Sequence, residues 1–246
     1  MLELQQQKNF FIFNFSSALP EHNRFFAPDF WRRQNRIIGS AKGRGTTWFI
    51  QTADLFGVNC ALRHYYRGGL WGKINKDHYR FTELAQTRSF AEFHLLNKLR
   101  RAGLPVPKAI GAKVEKNAFG CYRADILTEK LENARDLTAL LQRQTLSEQG
   151  WHTIGGLIRR LHDMQICHTD LNAHNILVQH IDDQPEKFWL LDFDKCGEKS
   201  GENWKAENLR RLHRSFMKET ARMGIRFHAH NWQQLLQGYR HYKPGH

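Results

Sequence analysis

The sequence predicts an α+β fold of two lobes, an antiparallel sheet with one helix followed by a mostly helical lobe. Segments rich in β-branched and aromatic residues occupy the first half, whereas a helical period of apolar residues dominates the second. With 41% hydrophobic residues in 246, the chain can bury a substantial core. We therefore predict an N-terminal lobe over residues 1–128 and a C-terminal lobe over residues 129–246.

Strands dominate the N-terminal lobe after a start that we interpret as irregular. Residues 48–52 and 60–66 are rich in β-forming side chains, and a turn-like segment containing Asp54 and Gly57 separates them. This spacing predicts an antiparallel pair. A further strand is predicted over residues 121–127.

One helix is predicted in this lobe, over residues 87–102, and Gly103 ends it. Glu92 precedes Leu95, Leu96 and Leu99 by three, four and seven positions, so its carboxylate lies on the apolar face of the helix. A buried carboxylate requires a cationic partner, and we expect one inside the lobe.

The C-terminal lobe begins with a helix whose start is marked by the capping-box spacing of Thr145 and Glu148. Its apolar stripe consists of Trp151, Ile154, Ile158 and Leu161. The helix leads to His168, and two short strands follow over residues 176–178 and 188–191. A hairpin of these strands would bring Asn175 and Asp192 to the same side.

The segment 168–175, with sequence HTDLNAHN, and the later Asp192-Phe193-Asp194 carry the most specific chemistry. An amide oxygen from Asn175 and a carboxylate from Asp192 are suitable ligands for magnesium. Asp170 can orient a hydroxyl group or accept its proton. Phosphoryl transfer requires held phosphates, a positioned hydroxyl and cations, and these residues predict such a site.

The pattern His-x-Asp-Leu-x-x-x-x-Asn followed by Asp-Phe resembles the catalytic loop and metal-binding motif of the protein-kinase-like superfamily. The resemblance implies a bilobal protein-kinase-like fold that uses ATP and Mg²⁺, with Asp170 catalytic and Asn175 and Asp192 as metal ligands. Asp194 stands where the superfamily usually has glycine. We interpret it first as a residue that structures the turn, and only secondarily as a candidate metal ligand.

The same resemblance implies a set of nucleotide-binding residues. Gly39, Gly43 and Gly45 would form a glycine-rich loop over the phosphates, although their spacing departs from Gly-x-Gly-x-x-Gly. The strand containing Arg63 resembles the superfamily's Val-Ala-Ile-Lys, which makes Arg63 the phosphate contact and Glu92 its ion-pair partner. Arginine keeps the positive charge of lysine but has a longer, forked head group.

Residues 128–131 resemble the hinge between the lobes, where backbone groups near Glu129 and Leu131 would bind adenine. After Asp194 the chain has no Ala-Pro-Glu motif and is too short for the C-terminal lobe of a regulated protein kinase. A small-molecule or sugar kinase fits this length better.

Within that group, residues 62–70 (LRHYYRGGL) and 168–177 are similar to the lipopolysaccharide kinases that act on 3-deoxy-D-manno-octulosonic acid (Kdo). This resemblance implies ATP-dependent phosphorylation of the 4-hydroxyl of Kdo on a lipid A precursor, by a peripheral protein at the cytoplasmic face of the bacterial inner membrane. A kinase for another core sugar such as heptose, or a small-molecule phosphotransferase, remains an alternative.

The charge of the chain favours an anionic partner, since Lys and Arg outnumber Asp and Glu by 37 to 24. Charge alone does not distinguish nucleic acid, an anionic membrane and a phosphorylated substrate. A helix over residues 203–223 carries a cationic ridge beside an apolar stripe, which favours core packing with membrane contact as an addition. The ridge consists of Arg210, Arg214, Lys218 and Arg222. No nucleic acid is expected, yet Arg63, Asp194 and the charge leave a pseudokinase or nucleic-acid-binding module as a hypothesis of another class.

Overall fold

The computed structural model describes residues 1–15, 19–43, 45–68, 76–180 and 185–242. The chain divides into two compact units. Unit 1 comprises residues 1–97 and 107–130, and unit 2 comprises residues 98–106 and 131–246.

Unit 1 is built on an antiparallel sheet of eight strands in the described part of the chain. The strands are β1 (Leu2–Gln6), β2 (Asn9–Phe13), β3 (Ile37–Lys42), β4 (Thr46–Ile50), β5 (Cys60–His64), β6 (Tyr79–Arg80), β7 (Ala109–Lys116) and β8 (Cys121–Glu129). Their order is β1-β2-β7-β8-β5-β4-β3, and β6 pairs with β8. The antiparallel pair predicted from residues 48–52 and 60–66 is confirmed as β4 and β5.

The start of the chain is regular, and the interpretation of it as irregular was wrong. Strands β1 and β2 form a hairpin, and β2 pairs along its length with β7. Phe11 and Phe13 of β2 enter an aromatic cluster with Phe25 and with Trp31 of helix α1 (Pro28–Arg33). Burying one such side chain contributes about 1.5–3 kcal/mol, so this hairpin forms part of the core.

Where one helix was predicted, the described part of the first half contains α1 and two more helices, α2 (Ala53–Phe56) and α3 (Arg88–Arg101). The bounds of α3 match the predicted helix over 87–102 within one residue. Gly103 follows with φ of 75°, a left-handed conformation that glycine adopts without strain.

Unit 2 contains the other helices and short strands that the structure describes. The helices are α4 (Leu137–Leu141), α5 (Glu148–Asp163), α6 (Asn203–Met223) and α7 (Ala229–His241), and the strands are β9 (Ala134–Asp136), β10 (Ile166–Cys167), β11 (Ile176–Gln179), β12 (Lys187–Leu190) and β13 (Gly197–Glu198). Ser147, rather than Thr145, caps α5, because the Ser147 hydroxyl accepts the Gly150 N–H at 3.1 Å.

Helices α5 and α7 pack at very short range through two glycines. A Cβ atom on Gly155 would lie 2.0 Å from the Leu235 carbonyl oxygen, and one on Gly238 would lie 2.1 Å from the His152 carbonyl oxygen. Any larger side chain would force the backbones apart, which explains glycine inside both helices despite its low helix propensity.

None of the described helices is both long enough and apolar enough to cross a bilayer.

Candidate phosphoryl-transfer site

The loop that carries Asp170 is held by hydrogen bonds within itself. Two side-chain amides donate to the Asp170 carbonyl oxygen, Asn172 Nδ2 at 3.0 Å and Asn175 Nδ2 at 2.9 Å. The Asn172 Oδ1 atom in turn accepts the backbone N–H groups of His174 at 2.9 Å and Asn175 at 3.1 Å. The backbone at Asp170 is therefore fixed, while its carboxylate is part-exposed.

Asn175 has a defined side-chain orientation. Only its Nδ2 can donate to a carbonyl oxygen, so Oδ1 points away from Asp170 O. The predicted hairpin is confirmed, with Ile176 opposite Leu190 and the Leu191 N–H donating to the Asn175 carbonyl at 2.9 Å. Asn175 and Asp192 are thereby brought to the same end of the hairpin.

Asp192 adopts a left-handed backbone conformation, with φ of 59°. Residues other than glycine rarely do so, and such conformations persist where the surroundings enforce them. Here Phe193 is buried beside it, and the Asp192 carbonyl contacts the Cys196 Sγ at 3.8 Å. The fold thus holds the carboxylate in a position that the chain would not adopt on its own.

His168 connects the loop to the Asp192 segment. Its Nε2 donates to the Leu191 carbonyl at 2.8 Å, and its ring packs on Phe193 with centroids 4.9 Å apart. Burial lowers the pKa of His168, so the ring is neutral at physiological pH. Its side chain acts on the position of Asp192 and does not serve as a proton donor to solvent.

The donor set fits magnesium. An amide oxygen and a carboxylate are hard oxygen ligands, and Mg²⁺ is usually held by one or two carboxylates with water and substrate phosphates completing its octahedron. Among the described residues, no group of three or more His, Cys, Asp or Glu side chains is arranged to hold a metal ion. Asn175 and Asp192 are the residues that would hold it, together with oxygens of the nucleotide.

In unit 1, the expected ion pair between Arg63 and Glu92 is present. Arg63 Nη2 lies 2.7 and 2.6 Å from the two carboxylate oxygens of Glu92, whose side chain is only 4% exposed. The Tyr65 hydroxyl donates to the same carboxylate at 2.6 Å. Burial, together with the charge of Glu92, raises the pKa of Tyr65 well above 10. Glu92 on α3 therefore holds Arg63 of β5 from a buried position.

The three glycines of the predicted phosphate loop lie on or beside the β3–β4 hairpin. Gly39 is within β3 opposite Phe49, and the Gly43 N–H donates to the Gly45 carbonyl at 2.8 Å. A Cβ atom on Gly45 would lie 2.2 Å from the Tyr66 ring. Gly45 therefore has a packing role in addition to any contact with phosphate.

Glu129 and Leu131, predicted near the adenine, fall in different units. Glu129 ends β8, where its N–H donates to the Lys108 carbonyl at 2.8 Å and its carboxylate accepts the Lys108 N–H at 2.9 Å. A nucleotide contact of the Glu129 backbone would have to use its carbonyl oxygen. Leu131 is the first residue of the long segment of unit 2.

Sequence reasoning missed Asn172, whose side chain joins Asp170 to Asn175 through hydrogen bonds. A signal for it exists, because asparagine side chains commonly accept backbone N–H groups two and three residues later in a turn. The motif pattern treats this position as variable and therefore does not show it.

The fold and the loop define a protein-kinase-like enzyme of the phosphoryl-transfer class. A solved structure described as WaaP in complex with acyl carrier protein matches with a TM-score of 0.56, covering 92% of this chain and 89% of that one. At 15% identity this similarity shows the fold alone. It confirms the predicted α+β, protein-kinase-like class.

The chain belongs to the lipopolysaccharide kinase (Kdo/WaaP) family, whose family model matches residues 28–239. It is 68% identical to a protein of Actinobacillus succinogenes, 66% identical to one of Mannheimia succiniciproducens and 64% identical to one of Haemophilus influenzae. Each of these is named 3-deoxy-D-manno-octulosonic acid kinase, and each match covers 97% of this chain and 99% of the relative. The predicted membership in this kinase group is confirmed.

Proposed function

We propose that this protein transfers the γ-phosphoryl group of ATP to the 4-hydroxyl of Kdo on a lipid A precursor, Kdo-lipid IVA. The observation that carries the proposal is near-full-length similarity, up to 68% identity, to relatives named Kdo kinase. The locked loop that presents Asp170 beside the Asn175–Asp192 pair supplies the chemistry for it.

Asp170 would act on the acceptor hydroxyl. Its carboxylate orients the 4-hydroxyl of the sugar and takes the proton as the oxygen–phosphorus bond forms and the bond between the γ-phosphorus and ADP breaks. The amides of Asn172 and Asn175 hold the backbone of Asp170, which restricts where the carboxylate can reach. Positioning of this kind is the main catalytic task in phosphoryl transfer.

Asn175 and Asp192 would hold Mg²⁺, which when bound neutralises phosphate charge. Arg63 would contact phosphate oxygens from β5, and Glu92 with Tyr65 would fix the direction of its guanidinium. An arginine at this position presents a planar fork that can bind two oxygens through parallel N–H groups, whereas a lysine presents a single compact charge. Gly39, Gly43 and Gly45 would allow the β3–β4 backbone to approach the nucleotide.

A peripheral position at the cytoplasmic face of the inner membrane is part of the proposal. The Arg210, Arg214 and Arg222 side chains on α6 are 66%, 61% and 57% exposed. Leu212 and Phe216 of the adjoining apolar stripe are fully buried within unit 2. Contact with anionic headgroups would therefore use the cations of α6, because its apolar stripe is occupied by core packing.

The decisive experiment compares the wild type with Asp170→Asn on purified Kdo-lipid IVA and labelled ATP. We expect one phosphate on the 4-hydroxyl, located by mass spectrometry and NMR, and a fall in kcat of at least roughly 100-fold in the variant. Asp163→Asn, an exposed carboxylate on α5, is the matched control.

A folded Asp170→Asn variant with wild-type kcat would refute the mechanism. If the wild type did not phosphorylate Kdo-lipid IVA but did phosphorylate a heptose-bearing acceptor, the substrate assignment would be refuted. Sedimentation with vesicles of anionic phospholipid tests the membrane position, since Arg210→Gln and Arg214→Gln together should weaken binding at low salt.

A further inference from the structure

Helix α6 contacts the catalytic loop on both sides of Asp170. The Asn208 Nδ2 donates to the His168 carbonyl at 2.7 Å, and the Ser215 Oγ accepts the Ala173 N–H at 3.1 Å. Neither contact could be deduced from the sequence pattern, which marks α6 only by its cations and its apolar stripe.

A third contact lies one turn further along α6. Glu219, 4% exposed, has its Oε1 at 3.5 Å from His174 Nε2, and the other ring nitrogen of His174 lies 2.6 Å from Asp136. Positions 208, 215 and 219 are spaced by seven and four residues, so they share one helix face. That face also buries Leu212 and Phe216.

Asn208 is itself held in one orientation. Its Nδ2 faces a carbonyl, so the atom that faces His162 Nε2 at 3.0 Å is the Oδ1 acceptor, and His162 Nε2 must donate to it. Burial lowers the pKa of His162 to about 4, so the ring is neutral near pH 7. A neutral ring that donates through Nε2 accepts through Nδ1, which the Tyr239 hydroxyl contacts at 2.9 Å.

The result is a directed chain of hydrogen bonds from Tyr239 of α7 through His162 of α5 and Asn208 of α6 to the His168 carbonyl. Each donor has one acceptor, and reversal of any amide or ring would place two donors or two acceptors face to face. A paired and largely buried network of this kind favours a single arrangement of the helices that carry it.

We propose that Asn208 and Ser215 are positioning residues for phosphoryl transfer, and that His162 and Tyr239 keep Asn208 in its donating orientation. The proposal rests on the function proposed above, because it assigns these residues to the placement of Asp170. They act on the loop backbone at two points, two and three residues from Asp170. A shift of the loop lowers the rate of transfer because the carboxylate no longer meets the acceptor hydroxyl.

The test uses isosteric variants of the full chain with Mg-ATP and Kdo-lipid IVA. Asn208→Asp keeps the acceptor for His162 but cannot donate to the His168 carbonyl, and we expect kcat to fall roughly 10- to 100-fold with KM for ATP changed less than about threefold. Ser215→Ala should lower kcat and Ser215→Thr, which keeps the hydroxyl, should restore it. Met217→Ala, on the exposed face of α6, is the control.

A spectroscopic readout separates positioning from a general loss of stability. In the wild type, the nitrogen chemical shifts of His162 should show a neutral ring protonated at Nε2 at pH 7. Tyr239→Phe should preserve this tautomer, although the ring then lacks the hydrogen bond that the Tyr239 hydroxyl donates to its Nδ1. Asn208→Asp, which places a carboxylate beside the ring, should raise the pH at which His162 takes up a second proton.

Wild-type kcat in a folded Asn208→Asp variant, or a loss explained wholly by KM for ATP, would overturn the proposal. Should that variant not fold, the Ser215→Ala and Ser215→Thr pair decides, and equal rates in both would overturn it. An inactive wild type would instead refute the proposed function, so the two failures are distinguishable.

Discussion

At the scale of single residues, the candidate residues of each unit depend on atoms whose direction is fixed by a partner in the same unit. Asn175 presents its oxygen because its nitrogen is occupied by the Asp170 carbonyl. Arg63 is held by Glu92, which Tyr65 also contacts. Substitutions that keep shape but change one of these atoms should therefore have large and separable effects.

Asp192→Asn should lower kcat and raise the concentration of Mg²⁺ needed for half-maximal rate by roughly tenfold or more, because a neutral amide replaces the charged ligand. Asparagine tolerates the left-handed conformation, so the fold should be preserved. A magnesium titration of turnover measures the effect. Asp194→Asn is the comparison, and an equal response in both variants would contradict the assignment of Asp192.

Arg63→Met should lower the free energy of unfolding by about 2–4 kcal/mol, because the buried Glu92 carboxylate loses a charged partner. Urea unfolding followed by tryptophan fluorescence measures it. Arg36→Met removes an exposed pair with Asp54 and should have a much smaller effect. Equal losses in the two variants would show that burial of Glu92 does not govern the pair.

At the scale of elements, the helices of unit 2 are positioned by close packing of their backbones and by hydrogen bonds that run through α6. Gly155 and Gly238 bring α5 and α7 together, and the chain from Tyr239 to His168 runs through the same helices. A substitution that disturbs the packing of these helices should therefore also lower the rate of phosphoryl transfer.

Gly155→Ala should destabilise the protein by more than about 2 kcal/mol, since its Cβ would overlap a backbone carbonyl that cannot move without displacing α7. Thermal unfolding measures the change. Gly197→Ala adds the same atom where nothing lies within 4 Å and should alter stability little. If Gly155→Ala unfolded at the wild-type temperature, the close helix contact would be disproved.

Local patterns predicted the elements whose partners are near in sequence. The β4–β5 pair, the β11–β12 hairpin and the inward direction of Glu92 all follow from alternation or helical spacing. The β1–β2 hairpin did not, because Gln5, Gln6 and Gln7 make its start polar and its pairing partner β7 lies far along the chain.

The candidate site was predictable to a similar extent. Motif spacing points to Asp170, Asn175 and Asp192, since side chains on one loop and one hairpin can be located by counting residues. Asn208 could not be found in this way, because an asparagine among charged residues of a helix resembles a solvent-facing position. Its burial follows only from tertiary packing against His168 and His162.

At the scale of the whole molecule, the two units should respond to pH with opposite sign. In unit 2, burial lowers the pKa of His162 from 6.5 to about 4. In unit 1, burial opposes protonation of His64, but hydrogen bonds to Asp125 and Asp77 outweigh it and raise the pKa. His162 therefore stabilises the folded state when its ring is neutral, whereas His64 stabilises it when its ring is charged.

Between pH 6.5 and 4 the unfolded chain binds a proton at His162 that the folded chain does not, so up to about 3 kcal/mol of stability is lost as pH falls. The contribution of His64 is complete below pH 6.5 and disappears as pH rises through its raised pKa. Hydrogen exchange of α5 and of β5 at several pH values should show these opposite slopes.

His162→Gln and His64→Gln should each flatten the slope of the unit that contains it. If the pH dependence of stability persisted in a unit after its histidine was replaced, that dependence would belong to other titratable groups.

The pairing of β2 with β7 also bears on synthesis of the chain. Asn9 pairs with Glu115, so during synthesis β2 has only β1 as a partner until roughly 100 further residues have been made. At about 5–20 residues per second this interval lasts on the order of 5–20 s. During that interval the edge of β2 that later faces β7 is unpaired, which leaves this hairpin open to pairing with strands of other chains.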